Sequence, residues 1–155
     1  MSDNVEVYLA FFKAKEGRLA DKLISLVDGS KYSHVELVVR PKHRPSSYFK
    51  CYTSHMNDGG VRVKTMFLTP RIWDLVHVDV DLKYALEFFE YNKKGKYDYL
   101  GLFTTILNWW PHSKNSWFCS ELVAAMLKLD HPERYGIKKL YRHVKHSNEI
   151  KTKPP

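Results

Sequence analysis

Residues 115–127 read N-S-W-F-C-S-E-L-V-A-A-M-L and place a cysteine at the head of an apolar helix, behind Trp117 and Phe118. Ser120 to Leu129 carries apolar residues at helical spacing, and D-H-P at 130–132 stops the run. With Asn115 or Ser116 as the cap, Cys119 falls in the first turn. There the unpaired backbone N–H groups and the positive end of the macrodipole favour a thiolate. A cysteine in mid-helix among leucines would be an inert small hydrophobe. Glu121 is placed to cap the helix start.

Working outward, Val5–Phe12 is rich in β-formers and reads as a first strand. Gly17–Val27 carries Leu19, Leu23 and Leu26, with Ile24 and Val27, at helical spacing, and Asp28–Gly29 stops it. S-H-V-E-L-V-V-R (33–40) is a strand closed by Pro41, and a proline-rich loop follows at 41–47. Tyr48–Thr53 and Val61–Met66 form two more strands around the turn S-H-M-N-D-G-G, and a further strand spans Leu75–Val80. Leu82, Ala85, Leu86 and Phe89 mark one apolar helix face. Tyr97–Trp110 is aromatic and partly helical, broken by Pro111. The order strand, helix, several strands, then helices predicts an α+β fold. One domain over 1–147 is expected, with a disordered basic tail at 148–155.

The 155 residues hold 25 Lys and Arg against 17 acids, a formal charge of +8. That balance suits an acidic lipid surface, nucleic acid or an anionic substrate. Cys51 and Cys119 are the only cysteines, so neither a disulfide framework nor a Cys/His metal set is expected, and no cofactor is called for. The start M-S-D-N-V-E-V has no signal-peptide character, and no apolar run approaches the ~20 residues of a transmembrane segment. A cytoplasmic, reducing setting is therefore expected, in which a thiol stays available.

A thiolate needs a base. Of eight histidines, His34 opens a strong strand, whose rigid end can hold an imidazole against a helix N-terminus. His77 alternates with Val76 and Val78 and reads as a solvent face, while the others fall in loops, the turn or the tail. Taken alone, His34 also fits a satisfied structural histidine.

S-H-V-E-L-V-V followed, 85 positions on, by W-F-C-S-E-L-V-A-A resembles the circularly permuted NlpC-type papain-like superfamily, the YiiX-like group. D-G-G-V-R-V (58–63) and G-K-Y-D-Y-L-G (95–101) resemble the segments that follow the histidine hairpin and precede the cysteine helix. The likeness covers residues 5 to about 130 and is strongest to small phage and viral members. It implies a small antiparallel sheet or half-barrel packed on a nucleophile helix, with Cys119 as nucleophile and His34 as base. It also implies cell-wall-type peptides or lipid acyl groups as substrates.

Relatives usually carry a third polar group on the strand after the histidine strand. Here that stretch, F-K-C-Y-T-S (49–54), offers only Ser54, Tyr52 or Thr53 as a hydrogen-bond acceptor. Glu36 is the other candidate: two residues after His34 on a strand, it shares its face. It reads equally as a polar residue on a solvated sheet face. Cys51 reads as a buried small hydrophobe. Tyr97 and Trp117 are candidates to touch substrate, Tyr97 near an oxyanion and Trp117 in a groove wall, though both fit plain core positions. The function expected is hydrolysis or transfer at an amide or acyl bond, by an amidase, peptidase, thioesterase or acyltransferase. The rival reading is an inactive basic binding protein of the same fold, with nucleic acid the first partner to try. Against it, no helix-turn-helix, zinc-finger or ribonucleoprotein pattern is present.

Overall fold

Alternating β-branched and aromatic residues set five antiparallel strands side by side: β1 (Val5–Lys13), β2 (Tyr32–Pro41), β3 (Tyr48–His55), β4 (Gly60–Phe67) and β5 (Trp73–His77). This computed structural model describes residues 4–43, 47–94, 96–97 and 116–152, with 96, 97, 116 and 149–152 described by their backbone only. Two short strands, β6 (Lys96–Tyr97) and β7 (Ser116–Trp117), pair with each other in parallel and extend the sheet to the order β5-β1-β2-β3-β4-β6-β7. The helices are α1 (Leu19–Asp28), α2 (Leu82–Asn92), α3 (Cys119–Met126) and α4 (Ile137–Thr152). The fold is α+β. Among the described residues, no helix is long and apolar enough to cross a membrane.

The period-2 pattern of the strands gives the sheet two different faces. Leu9 and Phe11 of β1, Val35 and Leu37 of β2, and Tyr52 of β3 share one core with Phe89 of α2, Leu122 of α3 and Leu140 of α4. A smaller cluster of Ala10, Val38, Phe49, Cys51 and Leu68 forms on the opposite face, with Trp73 and Met66 at its margin. Each fully buried leucine contributes about 2 kcal/mol through the area it removes from water, so the helix-side core dominates stability.

Two local features position the site. The β1–β2 ladder runs unbroken from Val5–Pro41 to Phe12–His34, where a bulge shifts the register. The β2–β3 ladder, by contrast, has only three pairs, Leu37–Tyr52, Val38–Cys51 and Val39–Lys50. Beyond them the Thr53 hydroxyl, not a backbone amide, donates to the Val35 carbonyl at 2.8 Å. His34 to Glu36 are therefore held by β1 on one side and left without ladder pairing on the other.

The strand expected over Leu75–Val80 begins earlier and ends at His77, because Trp73 and Asp74 pair with Phe12 and Phe11. Of the tail expected to be disordered over 148–155, residues 148–152 lie in α4 and 153–155 lie outside the described residues. Ile137, Leu140 and Val144 are buried at helical spacing, Tyr141 packs on Phe11 and Tyr32 at ring distances of 5.1 and 4.9 Å, and Asn148 Nδ2 donates to the His77 carbonyl at 2.8 Å. Of the aromatic segment read over 97–110, Tyr97 lies in β6, and 98–110 lie outside the described residues.

Candidate active site

Helix α3 starts at Cys119 itself, with Phe118 as its extended N-cap. The expected cap at Asn115 or Ser116 is thereby corrected. Ser116 and Trp117 are held extended in β7, and the Ser54 hydroxyl donates to the Trp117 carbonyl at 2.7 Å. The Glu121 carboxylate reaches back to the Phe118 N–H at 3.4 Å, one half of a capping box. Cys119 thus occupies the first helical position, where its own N–H needs no intrahelical partner.

On β2, the His34 ring meets the Glu36 carboxylate, Nε2 to Oε1 at 3.1 Å, as residues two apart on a strand should. The Cys119 side chain lies close enough to the same ring for its charge to raise the ring's pKa. With Nε2 engaged by Glu36, Nδ1 is the nitrogen left for sulfur. Cys119 belongs to the helix-side core, whereas Glu36 faces the opposite side of the sheet. The imidazole reaches both at the place where β2 and β3 have stopped pairing.

Glu36 is 1% exposed and fully committed. Besides His34 it accepts a bidentate pair from Arg62 of β4, Nη1 to Oε2 at 2.9 Å and Nη2 to Oε1 at 2.8 Å. Arg62 Nε continues to Asp58 at 3.0 Å, and Asp58 also pairs with Lys64. Burial alone would raise the Glu36 pKa, but the His34 bond and charge, followed by Arg62, outweigh it and hold the group below the usual carboxylate range. The reading of Glu36 as a solvated face residue is therefore corrected, and the group is a buried carboxylate hydrogen-bonded to His34.

Burial also works against charge on His34. The charge on Cys119 and the hydrogen bond to it, then the bond and charge of Glu36, overcome that penalty and raise the ring from 6.5 to about 9. The neighbouring His55 goes the other way. Its ring lies 4.7 Å from His34, edge to face, and burial, then the charges of His34 and Arg62, lower it to about 4. The two neighbouring rings are thus shifted in opposite directions.

The raised ring has a measurable consequence. A group whose folded pKa exceeds its unfolded value stabilises the fold fully below the unfolded value, and the contribution disappears as pH rises through the folded one. For His34 that window runs from 6.5 to about 9. Urea unfolding is expected to show stability falling across it by up to roughly 3 kcal/mol. His34→Gln should flatten the slope, and Cys119→Ser should remove most of it. An equal slope in all three proteins would refute the pairing.

A cleft of about 620 Å³ opens beside this group, with His34, Glu36 and Arg62 in its floor and Phe12, Trp73 and Asp21 in its walls. Cys119 does not line it and is 1% exposed. Cys51 lies on the opposite face, donates weakly to the Phe49 carbonyl at 3.3 Å, and is pushed up to about 12 by burial and the Glu36 charge.

Cys119, His34 and Glu36 are brought together; the remaining candidates are not. Ser54, the other third-group candidate, spends its hydroxyl on the Trp117 carbonyl and so fixes β7 to β3. Trp117 packs on Phe88 at 5.6 Å between rings and donates Nε1–H to Asn92 at 3.2 Å, which anchors β7 on α2. The Tyr97 backbone pairs beside Trp117, and its side chain lies outside the described ones. Sequence reading missed Arg62 and His55. Both flank the turn at 56–59, and the alternation of V-R-V was the available signal that Arg62 points away from the valines. Among the described residues no group of three or more His, Cys, Asp or Glu side chains could hold a metal ion. No family model and no curated protein matches this chain.

Proposed function

We propose that this chain is a thiol hydrolase or acyltransferase of the permuted papain-like type, with Cys119 as nucleophile, His34 as base and acid, and Glu36 as the group that orients the ring. The carrying observation is one imidazole hydrogen-bonded to a buried, Arg62-paired carboxylate, with the Cys119 side chain near enough for its charge to raise the ring's pKa. His34 takes the thiol proton, and sulfur attacks a carbonyl carbon of an amide, ester or thioester. The Cys119 N–H at the head of α3 stands where it can donate to the resulting oxyanion. Collapse expels the amine, alcohol or thiol, which takes the proton back from His34. Water or a second acceptor, deprotonated by the same ring, then releases the acyl group from sulfur. Glu36 keeps the ring's other nitrogen protonated and stabilises the imidazolium, the role of a third triad member. Peptides and acyl lipids are the substrate classes this reading carries, in a cytoplasmic setting.

One observation favours a second reading, an inactive binding protein of the same fold: the sulfur is covered, and the cleft opens beside the imidazole instead. Alkylation separates the two. Under native conditions iodoacetamide followed by mass spectrometry is expected to modify Cys119 well before Cys51, and His34→Ala should slow Cys119 alone at neutral pH. Equal, slow modification of both thiols, indifferent to His34, would favour the binding protein.

A further inference from the structure

Helix α1 is built the wrong way round for a helix that ends at water. Leu19, Leu23 and Leu26, spaced i, i+4 and i+7 and so on one face, are 73%, 54% and 77% exposed. Its buried side is carried by Ile24, and Asp21 fastens it to β2 through the Ser33 hydroxyl at 2.9 Å. The leucines are thus held outward by a helix that is fixed from within. Beside them lies a hollow of about 730 Å³ whose wall carries Lys13, Lys15, Lys22 and Lys31 against a single carboxylate, Asp74. Asp74 is shared by Lys13 at 3.0 Å and Lys31 at 3.5 Å. Lys22 belongs to both features, since it sits on α1 between Leu19 and Leu23.

We propose that α1 and this lysine-lined hollow form a docking site for an anionic lipid surface. Such a surface presents negative headgroups directly above hydrocarbon, and the leucine row and the lysines would take the two layers together. The charge pattern selects this occupant over others. A second copy of a chain with net charge +8 would bring the same lysines against these. A polynucleotide would use the lysines but gain nothing from three leucines. The inner side of the same helix walls the cleft beside His34. The docking itself does not depend on chemistry at Cys119, and its test reads binding alone.

The experiment is sedimentation of the full chain with phosphatidylcholine vesicles, with and without phosphatidylserine. Binding is expected to the mixed vesicles and to weaken with salt. Leu23→Ser combined with Leu26→Ser should lower affinity by about tenfold or more. Lys15→Gln, Lys22→Gln and Lys31→Gln together should lower it by about a hundredfold. Far-UV circular dichroism should be unchanged throughout, because all these side chains are exposed. The proposal fails if anionic vesicles are not bound, or if binding ignores the leucine changes. It fails equally if the leucines instead hold a dimer that the double substitution dissolves, or if single-stranded DNA displaces the vesicles and binds the leucine variant unchanged.

Discussion

Cys119→Ser is expected to lower turnover of an activated acyl ester such as a p-nitrophenyl acyl ester by about four orders of magnitude or more, and His34→Ala by about two to four. On the proposed mechanism the substitutions remove the attacking sulfur and the ring that moves its proton, and Cys119→Ser changes a single atom of the helix-side core. Because the two side chains act as one unit, the double variant should be scarcely slower than the worse single one. His34→Ala also leaves Glu36 paired to Arg62 by two bonds, so a lost rate should not be a lost fold. Stopped-flow or steady-state release of the chromophore checks this, together with a thermal melt of each protein. Multiplicative losses in the double variant would show that the two residues contribute independently, against the proton relay.

The second large effect falls on stability. Glu36→Ala is expected to cost about 3–5 kcal/mol, the range for breaking a buried ion pair by removing one partner. The carboxylate accepts from His34 and twice from Arg62, and all three bonds vanish while the guanidinium stays half-enclosed. Glu36→Gln should cost less, since the amide oxygen still accepts. A double substitution, Glu36→Leu with Arg62→Met, should recover part of the loss, as apolar pairs often replace buried ion pairs without penalty. Urea unfolding midpoints measure all three. A cost below about 1 kcal/mol for Glu36→Ala would place the pair in the class of solvent-screened surface bridges.

These predictions draw on parts of the molecule that differ in how openly the sequence displays them. His34 and Glu36 could be read because a strand repeats every two residues, and Cys119 because an apolar helix needs a beginning. Arg62 could not, for its partner lies two strands away and strand pairing is long-range information. Nor could the early end of the β2–β3 ladder, which depends on Thr53 taking the Val35 carbonyl. The cap was misplaced because Phe118 has no capping oxygen, and it is the Ser54 and Glu121 bonds that fix the chain there. The end of α4 was hidden in another way. Its buried Ile137, Leu140 and Val144 are diluted by lysines and histidines, so tertiary docking decides what composition leaves weak.

The His34 imidazole stands between two cores that pack independently, with Glu36 on one face of the sheet and Cys119 on the other. Sulfur is registered by the packing of one core and carboxylate by that of the other, and the short seam between β2 and β3 is all that aligns them. On the proposed mechanism, enlarging or emptying either core by a single methyl group would displace the proton path as well as lower the melting point. Selection on a working enzyme would then act on Val38 and Leu122 as stringently as on the residues that carry the chemistry.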